Sequence, residues 1–321
     1  GWSMDVMKNE FMTLYEAFCK GKENPLPWLS IQYKDYTHWH LKQLSGENLR
    51  KHQNYWLSRF EGKIPVLELP IDYPRAELRS FAGEFILFSL SENDTAQLKR
   101  ICKEFGTTLF ITLLSVVKVF LYRYTGQTDI IVGTPAAGRD HKDLENQIGF
   151  YVNMLPLRNK LKKDQGFRDV LQMVSRSTLE ALEHQVYPFD RLVHELKAVK
   201  DMGRNPLVDV VVSFINAGIQ RGNAKKPDSK ETNGGDDLLE SGTEPSKHDL
   251  IISFLDQGNR IGVQFRYNPQ LFKKERIMIM KERFVSLIND IISNVDKEID
   301  NLNFLVVYKK KQAMIQIEGE F

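Results

Sequence analysis

The sequence predicts an α/β sandwich built on a mixed sheet. Strand and helix signals follow one another as β-α-α-β-β-α-α-β and close with a β-hairpin and a helix. The run Val208 to Phe214 is β-branched and reads as a central strand. Thr107 to Tyr124 is apolar nearly all round, the mark of a buried helix.

Each element has a local reason. Ser3 to Lys20 is the first helix, with Ser3 as candidate N-cap; Val6, Phe11, Leu14 and Phe18 form an imperfect stripe. Gly21 to Leu29 is a proline-containing loop, and Tyr33 to His40 is an aromatic-rich connector. Glu47 to Phe60 is a helix carrying Tyr55 and Trp56, and Pro65 to Arg79 is extended linker. Gly83 to Leu90 is a strand. Ser91 and Asp94 then open a helix whose face is Leu98, Ile101, Cys102 and Phe105, and Gly106 ends it. Asp129 to Val132 and Ile148 to Leu157 are strands around a polar loop. Phe167 to Glu183 is a helix, and Pro188 starts a shorter one. Arg221 to Lys247 is polar and aperiodic, a long loop expected to be partly mobile. Asp249 to Asp256 and Arg260 to Tyr267 form a hairpin about Gln257-Gly258-Asn259, and Asn268-Pro269 turns the chain. The last helix puts Ile277, Met280, Phe284, Leu287, Ile288 and Ile291 on one face, and Lys309 to Lys311 begin a solvated tail.

Composition excludes some classes. A net charge of +2 gives no electrostatic reason for a nucleic-acid or acidic-membrane partner. The longest apolar run, Leu109 to Leu121, contains Thr112, Ser115 and Lys118 and reads as a core helix, not a membrane span. Cys19 and Cys102 both lie in helical apolar patterns and are expected to be buried free thiols, in keeping with a reducing, cytoplasmic setting. No signal peptide is expected ahead of the first helix. The abrupt Gly1-Trp2-Ser3-Met4 opening is expected to follow chain that is not present here.

Little chemistry is legible from residues alone. There is no Gly-Lys-Ser/Thr phosphate loop, no G-x-S-x-G elbow and no zinc-spaced Cys/His set. His38 and His40 lack a third ligand and read as surface or loop histidines. The stretch Gly133 to Arg158 stands apart: glycines and one arginine, Arg139, sit between two apolar segments. A cation at a strand end suits a cleft between lobes, although an ordinary strand–loop–strand with a solvated arginine fits the same spacing.

Several motifs in register resemble the condensation domains of non-ribosomal peptide synthetases, which have the chloramphenicol-acetyltransferase-like fold. Tyr33 to Trp39 is similar to Y-x-D-Y-x-x-W, Gly133 to Arg139 to V-G-T-P-x-A-G-R, and Ile148 to Arg158 to I-G-F-x-V-N-x-L-x-L-R. His184 to Leu192 is similar to H-Q-x-x-P-F-x-x-L, Arg204 to Leu207 to R-N-P-L, and Lys247 to Leu250 to K-x-D-L. Gly1-Trp2-Ser3 resembles the end of the family's H-H-x-x-x-D-G signature, so no catalytic residue is expected in the chain. The resemblance implies a remnant of the N-terminal lobe over 1–30, a connector over 31–80, the C-terminal lobe over 81–305 and a linker over 306–321.

The resemblance also implies amide-bond formation between donor and acceptor thioesters held on phosphopantetheine arms of peptidyl carrier proteins, beside an adenylation domain. Nucleic acid, membrane, metal and a directly bound cofactor have no part in it. Gly1, Trp2, Ser3, Arg139 and Asn205 are then active-site support. Arg139 would clamp the motif aspartate, and Asn205 would contact substrate or intermediate. Asn153 and Tyr151 fit either the tunnel or packing. The isolated chain is expected to be inactive, and Arg221 to Lys247 would correspond to a latch reaching the first lobe. Alternatives are a silent partner-recruitment platform, an epimerising relative and a coenzyme A acyltransferase; Gly1-Trp2-Ser3 leans to D-donor types and the later motifs to L-donor types.

Overall fold

The computed structural model describes residues 2–198, 201–216 and 240–304. Helices α1 (Trp2–Cys19), α2 (Tyr33–Gln43) and α3 (Gly46–Arg59) precede strand β1 (Glu84–Ser89). Helices α4 (Glu92–Glu104) and α5 (Leu109–Thr125) lead to β2 (Asp129–Ala136) and β3 (Asn153–Lys160). Then come α6 (Phe167–Glu183), α7 (Phe189–Glu195), β4 (Val210–Asn216), β5 (Glu240–Thr243), β6 (Leu250–Asp256), β7 (Ile261–Tyr267) and α8 (Lys274–Ser293).

The seven strands form one mixed sheet in the order β3-β2-β4-β6-β7-β1-β5. β4 is parallel to β2 and β6, and the other pairs are antiparallel. In central β4 the successive residues Val210, Val211 and Val212 are all buried, so this half of the strand is covered on both sides.

Local chemistry sets the ends of the elements. The Ser91 hydroxyl accepts from the Asp94 amide at 3.0 Å and caps α4. Thr108 caps α5, and Gly126 ends it in the left-handed region at φ 75°. Between β6 and β7, Gly258 turns at φ 93°. The apolar face foreseen on α8 is buried throughout, and Phe284 packs against Phe120 at 5.4 Å and Phe265 at 5.5 Å between ring centroids. Trp56, Phe60, Leu67 and Leu69, which precede the sheet, are buried in the same core.

The structure corrects five expectations. Tyr33 to His40 is helix, not connector: its aromatic residues recur at helical spacing. Ser3 lies inside the first turn of α1 and does not cap it. Residues 148–152 are not strand; β3 begins at Asn153. The loop foreseen over Arg221 to Lys247 ends in a strand, β5, which pairs with the edge of β1 from Glu84↔Thr243 to Leu87↔Glu240. Cys19 is exposed, whereas Cys102 is buried, and both are free thiols. The greater part of the expected latch, 221–239, lies outside the described residues.

Two polar groups inside the fold have energetic consequences. Residues 65–79 are extended, yet they are stitched to the loops before β4 and β6. Arg75 makes a two-pronged pair with buried Asp249, Arg79 donates to Asn205, and Arg204 bridges Glu68 and Asp209 at 2.8 and 3.1 Å.

Lys118, on α5, is fully buried and donates to the Leu157 carbonyl at 2.8 Å. Burial lowers its pKa to about 7. Between that value and the ordinary value of 10.5, the unfolded chain binds the extra proton, so stability from this group rises with pH across the window. The slope approaches about 1.4 kcal/mol per pH unit. Urea unfolding of wild type and Lys118→Met from pH 7 to 10 is expected to show that slope in wild type only. Parallel curves would contradict it.

Candidate functional site

The site grows from the loop after β2. Gly138 turns at φ 64°, and a Cβ there would lie 2.1 Å from the Tyr151 carbonyl oxygen, so glycine is required for the loop to close on Tyr151. The turn presents Arg139 to the head of α1. One guanidinium nitrogen donates to the Ser3 hydroxyl at 2.9 Å and another to the Leu144 carbonyl. Ser3 in turn donates to the Gly149 carbonyl at 2.8 Å and accepts from the Gly149 amide at 3.2 Å. The Trp2 indole donates to the Glu145 carbonyl at 2.7 Å.

The Arg139 guanidinium carbon lies 4.2 Å from the Tyr151 ring centroid and 5.4 Å from that of Trp2. The cation therefore rests on two aromatic faces. No ion pair of Arg139 occurs among the described residues, and burial moves its pKa below the ordinary guanidinium value. Gly1 lies outside the described residues.

Tyr151 joins this cluster to α2. Its hydroxyl donates to Gln147, whose amide donates to the Ile31 carbonyl at 2.7 Å. Tyr33 and Tyr36 meet the Tyr151 ring edge-on, at 5.2 and 4.6 Å. Tyr33 also donates to the Phe150 carbonyl at 2.8 Å. A Cβ on Gly149 would come within 2.4 Å of the Tyr33 ring, which explains the glycine of the I-G-F segment.

Asn153 spends its whole side chain on the 185–189 backbone. Its amide donates to the carbonyls of Gln185 at 2.8 Å and Tyr187 at 2.7 Å, and its oxygen accepts from the Phe189 amide at 3.0 Å. These contacts are those of packing, and Asn153 also lines a cleft beside α2, as Tyr151 does. Asn153→Ala is expected to lower stability by about 2 kcal/mol and speed amide exchange over 185–189. Unchanged melting and exchange would contradict this.

Asn205 stands elsewhere: it accepts from Arg79 and donates to the Lys247 carbonyl. No contact among the described residues joins it to Arg139. His40 donates through Nε2 to the Val186 carbonyl at 2.8 Å, so it is a helix residue with a backbone partner. No group of three or more metal-ligating side chains is found among the described residues.

Sequence reasoning missed a cleft of about 960 Å³ between α2, the loop after β2 and the 185–190 segment. Tyr33, Tyr36, Trp39 and His40 line it from α2; Phe150, Val152 and Phe189 line it from the other walls. The three-and-four spacing of Tyr33, Tyr36 and His40 is the signal that would have revealed it. Among the described residues, no single helix is long and apolar enough to cross a membrane.

The mixed sheet with its packed helices defines a chloramphenicol-acetyltransferase-like α/β fold. The chain belongs to the condensation-domain family, whose sequence model, "Condensation domain", matches residues 1–315. It is 38% identical over 302 residues to bacitracin synthase 3 of Bacillus licheniformis, covering 94% of this chain and 4% of that protein. It is 36% identical to gramicidin S synthase 2 of Brevibacillus brevis, over 98% of this chain and 7% of that protein.

Solved structures agree on the fold. The X-domain from teicoplanin biosynthesis superposes with a TM-score of 0.79 at 22% identity, over 94% of this chain and 69% of that one. A four-domain nonribosomal peptide synthetase bound to AMP and glycine gives 0.78 at 21% identity, over 96% of this chain and 24% of that one. The first condensation domain of the CDA synthetase gives 0.67 at 21% identity, over 95% and 63%.

Proposed function

We propose that this chain is the C-terminal lobe, with an adjoining helix, of a condensation domain that forms amide bonds between two carrier-bound thioesters. The observation that carries the reading is the placement of Arg139. It is a partly buried cation, unpaired with any carboxylate among the described residues, held at the first turn of α1 by Ser3, Trp2 and Tyr151. Both terminal nitrogens already donate, to Ser3 and to the Leu144 carbonyl, and each has one further N–H to offer a carboxylate.

In the reaction, the acceptor amine attacks the donor thioester carbonyl. A C–N bond forms, the C–S bond breaks, the amine loses a proton and the departing thiolate gains one. These 321 residues contain no adjacent His-His pair. The group that handles the amine proton is therefore assigned outside them, and this chain orients and supports. Substrates arrive on phosphopantetheine arms of donor and acceptor carrier proteins, with an adenylation domain alongside, in the cytoplasm. Residues 81–305 are assigned to the lobe and 31–80, which include α2 and α3, to a segment stitched onto it; the expected linker, 306–321, lies outside the described residues. Asn205 holds the 247–249 loop at the lobe's edge.

Product analysis of the longer protein with loaded carriers tests the reading. The amide joined to the acceptor carrier is the expected result. Hydrolysed donor acid with no amide would overturn it in favour of a recruitment platform.

A further inference from the structure

Gln147 stands behind the cleft wall. It is 2% exposed and does not line the cleft, so it touches no ligand there. Both ends of its side-chain amide are engaged. The oxygen accepts from the Tyr151 hydroxyl, and the nitrogen donates to the Ile31 carbonyl at 2.7 Å, across 116 residues of sequence. A buried amide costs free energy unless it is bonded in this way, and an apolar side chain would fill the same space without that cost. What the amide adds is geometry: two directional bonds admit one placement, where apolar packing tolerates sliding.

The placement it fixes is that of the groups on which Arg139 rests. The backbone amide of Gln147 donates to the Leu144 carbonyl at 3.3 Å and closes the 144–147 turn. That turn supplies two acceptors to the head of α1: the Leu144 carbonyl takes Arg139, and the Glu145 carbonyl takes the Trp2 indole at 2.7 Å. Tyr151 presents its ring face to the Arg139 guanidinium carbon at 4.2 Å. Tyr33 and Tyr36 meet that ring through edge contacts, and among the described residues Gln147 alone hydrogen-bonds the Tyr151 side chain. One buried amide therefore ties the chain entering α2 to the turn and to the ring that hold Arg139.

We propose that Gln147 is a positioning residue for amide formation, acting through Tyr151 and the 144–147 turn to set the Arg139 guanidinium at the head of α1. Its effect on rate rests on the amide-forming reading. A shift of about 1 Å far from the chemistry can cost on the order of 100-fold where a site works by orienting its reactants.

Gln147→Met and Tyr151→Phe test the proposal. The first roughly keeps the volume and loses both side-chain bonds. The second keeps the ring on Arg139 and loses only the bond to Gln147. In the longer protein with loaded carriers, each is expected to lower kcat for amide formation about tenfold and leave KM for the carriers unchanged. On an Arg139→Met background, the same substitutions are expected to lower kcat by less than about twofold further. In the 321-residue chain, each is expected to speed amide exchange in the first turns of α1 about tenfold and leave α8 unchanged. A second tenfold loss on top of Arg139→Met, or exchange that rises equally in α1 and α8, would reduce Gln147 to a general support of the fold and overturn the proposal. Wild-type kcat and exchange in both variants would overturn it as well. If the unmodified longer protein forms no amide, the amide-forming reading fails, and exchange at the head of α1 still decides whether Gln147 holds Arg139.

Discussion

Arg75→Met is expected to destabilise the fold by about 3–5 kcal/mol, the usual consequence of removing one partner from a buried ion pair. Arg75 faces Asp249 with both terminal nitrogens, one at 3.0 Å, and the Asp249 side chain is 3% exposed. Asp209 lies in the same seam, pushed up to about 6 by burial first and then by the Asp249 charge; Arg204 and Arg75 pull it back. Without Arg75, Asp249 is left without its guanidinium partner beside Asp209, which keeps Arg204. The Asp209 pKa is raised above its unfolded value of 3.8, so its contribution is complete below that value and is lost as pH rises through about 6. The defect in Arg75→Met should accordingly be smaller at pH 5 than at pH 7.5. Urea unfolding at both pH values measures it. A loss below about 1 kcal/mol at pH 7.5 would mean that the seam is dispensable, against the cost expected for a stranded buried charge.

Arg139→Met is expected to release the head of α1. The substitution removes a charged hydrogen bond to Ser3, another to the Leu144 carbonyl and two ring contacts. Together these are worth about 2–4 kcal/mol of local stability, or roughly 30- to 1000-fold faster amide exchange over the first turns of α1. Arg139→Lys keeps the charge but not the fork and should fall between. In the longer protein, under the proposed function, amide formation is expected to fall about 100-fold in Arg139→Met. Exchange unchanged in α1 would show that Ser3 and Trp2 hold the helix without the guanidinium.

Strong periodicity made much of the fold legible. The all-round apolar α5, the apolar face of α8 and the β6–β7 hairpin follow from local composition and spacing. Failures arose where a partner decides the structure. Glu240-Ser-Gly-Thr243 has little strand propensity and becomes β5 because β1 offers a free edge. Ile148, Phe150 and Val152 alternate like a strand, yet they are 52%, 79% and 49% exposed and pair with nothing, because Gly149 is pinned under Tyr33. The Tyr33–Gln43 helix was hidden by its aromatic and histidine content, and the 65–79 strap by the distance in sequence between Arg75 and Asp249.

The candidate site divides the same way. Arg139, singled out by its place between two apolar segments, and Trp2, Ser3 and Tyr151, singled out through the family resemblance, do come together. Asn205 does not join them, and the chemistry of Asn153 is spent on backbone. The cleft beside them depends on three segments far apart in sequence, which no local pattern connects.

The most direct test of the account is the intact mass of the acceptor carrier protein after incubation with loaded donor carrier. The account predicts that the acceptor gains the mass of the donor acyl group when the longer protein is present and gains nothing when only the 321-residue chain is supplied. Acyl transfer to the acceptor by the 321-residue chain alone, or none by the longer protein, would contradict it.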